Sequence, residues 1–135
     1  MQPADTKPRG PRRWRDKFGE AARGVKLGVR GHSSFSVHFF FAALVLASAA
    51  VLGLDAWEWC AVVLCVGGVM TCELLNSAIE TLFHGLDDDA KGRSVGCLDI
   101  AAGAVLVAGG TAAVVGTVVF ARKLLILFHL MPAGI

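Results

Sequence analysis

The sequence predicts an all-α integral membrane protein, with an N-terminal amphipathic surface helix followed by three transmembrane helices. Three observations carry that prediction. Of the 135 residues, 55% are hydrophobic and 18% charged, with a mean hydropathy of +0.61, which is too apolar for a soluble domain. Three apolar stretches, Phe35 to Leu54, Trp59 to Ile79 and Ile100 to Ala121, each approach the ~20 residues that a helix needs to cross hydrocarbon ~30 Å thick. Nine of the thirteen Lys and Arg residues lie between Lys7 and Arg30, ahead of the first stretch. A single domain over residues 12–130 is expected at this length. It is preceded by a basic segment, residues 1–11, which Pro3, Pro8 and Pro11 mark as disordered, and followed by a tail at 131–135.

Residues 13–30 read as the surface helix. Trp14, Phe18, Ala21, Ala22, Val25 and Val29 recur at helical spacing, while Arg15, Lys17, Arg23, Lys26 and Arg30 occupy much of the remaining surface. That pattern suits a helix lying in the headgroup plane. A basic arm can also bind nucleic acid. This one leads directly into a membrane segment, so topogenesis and anionic lipid explain it better, and no nucleic-acid partner is expected.

The first transmembrane helix is placed at 33–54, with Ser36, His38 and Ser48 as the polar residues within its apolar run. The link from Gly53 to Glu58 is short and lacks Lys and Arg, so the second helix, 57–84, returns in a tight hairpin. The positive-inside rule then puts the N-terminus of this multi-pass protein in the cytoplasm and the hairpin outside. Residues 81–99 return to the cytoplasmic side with Lys91 and Arg93, and the third helix is placed at 97–122. In it Ala104, Ala108, Ala112 and Gly116 recur every four residues, a stripe that lets helices approach closely in lipid. Three helices can hardly shield a polar cluster on every side, so a homo-oligomer is expected. Cys60, Cys65, Cys72 and Cys97 have no CxxC spacing and read as packing residues.

The polar cluster lies at the end of the second apolar run. Glu73, Asn76, Ser77 and Glu80 follow i, i+3, i+4, i+7 spacing and share an arc of roughly 100° on one helix face. A charge near the bilayer centre costs at least ~2.5 kcal/mol, so such residues usually face protein and mark function. Two acids one above the other, with an amide between, suit a metal or proton-transfer site.

With these residues in place, the chain resembles the small prokaryotic diacylglycerol kinase and undecaprenol kinase family of three-helix lipid kinases, which work as homotrimers. Phe18-x-x-Ala21-x-x-Gly24 looks like the opening of the family's surface helix, Phe35 and His38 match its first membrane helix, and Glu58-Trp59 the start of its second. The string Glu73-Leu74-Leu75-Asn76-Ser77-Ala78-Ile79-Glu80 matches the family signature residue for residue, and Asp99 to Leu106 matches the start of the third helix.

The resemblance implies transfer of the γ-phosphoryl group of ATP to a membrane lipid alcohol, diacylglycerol or undecaprenol, with Mg2+. By that likeness Glu73 is the catalytic base and meets the substrate together with Ser77. Glu80 is the magnesium carboxylate at the phosphates, Asn76 hydrogen-bonds within the site, and Asp99 positions nucleotide. The departures cluster at the nucleotide end. His32 stands where the family has a metal-sharing glutamate, Ser34 replaces an asparagine, His84 an aspartate, and Leu98 the lysine before Asp99. Leucine cannot replace a lysine's charge beside phosphates. Glu20 is a candidate second metal ligand in place of His32, and Lys91 or Arg93 a candidate to reach inward. His32 and His84 read either as a metal pair or as interfacial polar residues, and Asp87-Asp88-Asp89 as a phosphate-metal site or a solvated acidic loop. The other functional reading is a family member with impaired or altered catalysis, serving as a lipid-binding or structural membrane protein.

Overall fold

The structure, a computed structural model, describes residues 14–31 and 33–130, and their side chains except those at 30, 31, 33 and 34. The expectations for residues 1–11, His32 and 131–135 lie outside the described residues, and that for Ser34 concerns a side chain outside them. Four helices follow one another, α1 (Trp14–Gly31), α2 (Ser33–Leu52), α3 (Ala56–His84) and α4 (Asp88–Leu127), and no strand occurs among the described residues.

The last three helices are long and apolar enough to cross a membrane. Their outward faces leave Phe39, Phe40, Leu64, Leu106 and Val107 exposed. So much apolar surface suits a lipid environment, where it is the solvated side of the protein. On α1, Trp14, Phe18 and Leu27 are likewise exposed, with the Lys17 ammonium 4.7 Å above the Trp14 ring.

The α2–α3 hairpin closes through two capping devices. Gly53 has φ +61°, a left-handed conformation that glycine adopts without a Cβ clash. It lets Gly53 N–H reach Ala50 O at 3.3 Å and Leu54 N–H reach Ala49 O at 3.2 Å, the paired bonds of a Schellman stop. Asp55 then starts α3, and its N–H is taken by the Glu58 carboxylate at 2.8 Å, in the manner of a capping box. Leu54 and Ala49 pack with Val62 and Val119 into the apolar core, which therefore sits at the hairpin end of the bundle.

At the other end α4 begins at Asp88, not near residue 97. The Asp87 carboxylate accepts the Ala90 N–H at 2.8 Å, and Asp88 and Asp89 occupy the first turn, where the helix dipole favours negative charge. The triple-aspartate run is thus a helix start and not a loop. Hydropathy marks only the part of α4 inside hydrocarbon, and the capped acidic turn carries the helix beyond it.

α4 lies antiparallel along α3 in the most extensive contact of the fold, while α2 packs mainly on α3. Beside the small-residue stripe, Gly103, Gly109, Gly110 and Gly116 of α4 all have open space where a Cβ would stand. Gly109, Ala112 and Gly116 border a cavity of about 590 Å³ between α2, α3 and α4.

Candidate functional site

The buried face of α3 is polar at both ends and apolar in the middle: Glu58, Val62, Glu73, Asn76 and Ser77 all point inward. Glu73 is 2% exposed, Asn76 7% and Ser77 2%, and Glu80 one turn further on is half-buried. The four residues on the helical stripe therefore turn toward protein, as the cost of exposing them to hydrocarbon requires.

Their hydrogen bonding is incomplete. Asn76 donates its side-chain N–H to Glu80 Oε1 at 2.8 Å, so the amide orients the carboxylate four residues on. Asn76 Oδ1 and Ser77 Oγ are buried and have no hydrogen-bond partner among the described residues. Orphaned polar atoms of this kind cost roughly 1–3 kcal/mol each and are expected to acquire a partner in the functioning protein. The site thus offers one oxygen of an amide, one hydroxyl and two carboxylates to an incoming polar ligand.

Two elements close the site from above. The first turns of α2 place Phe35, 5% exposed, and His38, whose Nε2 lies 2.8 Å from Glu73 Oε1. α1 crosses α3 where Gly28 faces Leu74; a Cβ at position 28 would stand 2.6 Å from Leu74 Cδ2, so only glycine allows this approach without moving the leucine. The crossing lies one residue from Glu73.

Asp99 lies eleven residues beyond the start of α4, with its side chain exposed, and Leu98 beside it is half-buried. Lys91 and Arg93 do not reach inward in this structure, since they pair with Asp88 at 4.0 Å and Asp89 at 3.2 Å on the first turn of their own helix. Glu20 is exposed on α1 and His84 on the last turn of α3, with the His84 ring edge-on to Phe83. Among the described residues no three His, Cys, Asp or Glu side chains gather as a metal group, and His32, the other half of the histidine pair, lies outside those residues.

Two constellations have no spacing signal in the sequence. One is the His38–Glu73 contact, where the only hint is a histidine inside an apolar run. The other lies at the hairpin end. Glu58 is fully buried and meets the Arg122 guanidinium at 2.8 Å and Lys123 at 3.8 Å, while Lys123 also reaches Asp55 at 3.5 Å. Arg122 lies in addition 5.4 Å over the Trp57 ring. Partners 64 residues apart are joined only by the fold.

A family model described as prokaryotic diacylglycerol kinase matches residues 19–120, a stretch from α1 to near the end of α4 that includes Glu73, Asn76, Ser77, Glu80 and Asp99. A curated relative, the undecaprenol kinase of Bacillus subtilis (strain 168), is 33% identical over 107 residues, covering 79% of this chain and 87% of that protein. No solved structure matches the chain.

Proposed function

The chain belongs to the prokaryotic diacylglycerol kinase family, and from that premise we propose that it transfers the γ-phosphoryl group of ATP to the hydroxyl of a membrane lipid alcohol. The observation that carries this reading is the burial of Glu73, Asn76 and Ser77 on one face of α3, with two of their polar atoms unpartnered among the described residues. The likeness to the Bacillus undecaprenol kinase favours a polyprenol over diacylglycerol as acceptor.

In this reading Glu73 takes the proton of the lipid hydroxyl as its oxygen attacks the γ-phosphorus, and ADP leaves with the bridging oxygen. Ser77, one turn from Glu73, hydrogen-bonds the acceptor alcohol. Asn76 holds Glu80 toward the phosphates, and Asp99 positions the nucleotide from α4. The donor set fits magnesium, a hard cation commonly held by one or two carboxylates together with phosphate oxygens: Glu80 would hold it, with the orphaned Asn76 Oδ1 as a further oxygen. Bound there, magnesium would neutralise charge developing on the phosphates. A second ligand from Glu20 or His32 belongs to the same proposal.

We further infer that the site end faces the cytoplasm of a bacterial inner membrane, where ATP is found, and that the protein assembles as a homotrimer. The cation-rich first thirty residues support the orientation. The hairpin end carries only Arg122 and Lys123, against nine cations before residue 31. The open space beside the α4 glycines supports the assembly.

One observation favours the second reading, a lipid-binding or structural protein with impaired catalysis: Leu98 stands beside Asp99, and Lys91 and Arg93 are engaged elsewhere. A single experiment separates the two. Purified protein in lipid is given labelled ATP and magnesium with undecaprenol or diacylglycerol. Label in the lipid that vanishes in Glu73→Gln is the expected result. A folded protein that labels neither alcohol supports the second reading.

A further inference from the structure

Glu73 is nearly removed from solvent, and the side chain it meets is His38 of α2, Nε2 to Oε1 at 2.8 Å. The two side chains differ in exposure, 3% for Glu73 and 31% for His38. The imidazole also lines the 590 Å³ cavity between α2, α3 and α4, whose other walls are mainly apolar, among them Phe41, Val66, Val69 and Met70. His38 thus stands between the apolar cavity and a buried carboxylate.

We propose that His38 is a positioning residue for Glu73: its Nε2–H donates to Oε1 and leaves Oε2 as the oxygen that meets the lipid hydroxyl. The inference rests on the kinase reading above and adds a residue to it. A glutamate has three side-chain torsions, and in a medium poor in water a hydrogen bond is what best fixes its terminal rotation. One hydrogen bond from a separate helix removes that freedom and satisfies one of the two oxygens that burial would otherwise leave bare. In the transfer step the lipid O–H bond breaks and its proton passes to Oε2. The lipid oxygen bonds to the γ-phosphorus, and the bond to the β–γ bridging oxygen breaks with its electron pair on ADP. His38 keeps its proton throughout, so it orients the base without replacing it.

The arrangement also suggests how an alcohol is presented. A long hydrocarbon tail in the cavity would bring its hydroxyl end to the imidazole, and the hydroxyl would find Glu73 already turned. A misplacement of about 1 Å at such a centre can cost roughly a hundredfold in rate.

The test compares full-length wild type, Glu73→Gln, His38→Phe, His38→Gln and His38→Asn in lipid, with labelled ATP and undecaprenol, after each is shown to elute as the same oligomer. The glutamine amide nitrogen can occupy the place of Nε2; the asparagine is one methylene too short. His38→Phe should lower kcat about ten- to a hundredfold with both KM values within about twofold. His38→Gln should recover most of that loss and His38→Asn little of it. The Gln and Asn pair carries the test if the Phe variant does not fold. An active wild type with inactive Glu73→Gln, but with His38→Phe at the wild-type rate or Gln and Asn alike, overturns the inference alone. A wild type that transfers nothing, or a fully active Glu73→Gln, overturns the kinase reading and this inference with it.

Discussion

Asn76 is placed to act in two directions at once. Its N–H group holds Glu80 Oε1 while its oxygen is left buried without a partner. Replacing it by Leu removes both, frees the Glu80 carboxylate to rotate and would leave the proposed magnesium site one oxygen poorer. The expected result is a magnesium requirement for half-maximal rate raised about tenfold, within the 10–100-fold range typical of residues that orient a ligand, read from rate against magnesium concentration. Removing magnesium with EDTA should stop transfer by wild type altogether. Much of this site was legible in the sequence, because a helix fixes the angle between residues three and four apart. The partner of Glu73 was not, because no rule of spacing says which residue of a different helix will face a given one.

At the scale of elements, the hairpin end holds the bundle together. Glu58 caps its own helix through Asp55 N–H and also meets Arg122 and Lys123, so one buried carboxylate joins the start of α3 to the end of α4. Breaking a buried pair from one side leaves a charge without compensation and costs about 3–5 kcal/mol, whereas replacing both partners by apolar residues can be close to neutral. Glu58→Ala should lower the unfolding midpoint in detergent markedly, and Glu58→Leu with Arg122→Met should recover a good part of it. Gly53→Ala should cost about 1–2 kcal/mol by forcing a Cβ into left-handed backbone, measured in the same unfolding assay. The hairpin itself was readable from the break in hydropathy at Gly53 and Asp55. The length of α4 was not, because the Asp-rich segment before it looks like a solvated loop until Asp87 is seen to cap it.

For the whole molecule, apolar composition and the bias of cations to one end are enough to indicate a membrane bundle, since lipid admits few alternatives to a helix that satisfies its own backbone. Assembly is less accessible, since Ala112 and Gly116 of the small-residue stripe border a cavity within the chain and name no partner helix. Orientation can be measured directly. Cys97 and Ala56 are both exposed and lie at opposite ends of the bundle. In a variant that retains Cys97 alone, a membrane-impermeant thiol reagent should label only inverted vesicles. Ala56→Cys in a cysteine-free background should label only right-side-out ones. The reverse pattern would place the site on the wrong face for cytoplasmic ATP.

The bond from Glu58 to Arg122 has an evolutionary corollary. One residue inserted into α4 ahead of Arg122 turns one part of the helix by about 100° relative to the other and slides it by about 1.5 Å. Either Arg122 then leaves its buried carboxylate or the first half of α4 changes the face it turns to α3. Length changes within α4 should therefore be selected against more strongly than changes at the link around Gly85. Insertion scanning through Ile100 to Ala121 should show a band of inactive or unstable variants, whereas insertions at Gly85 should retain activity.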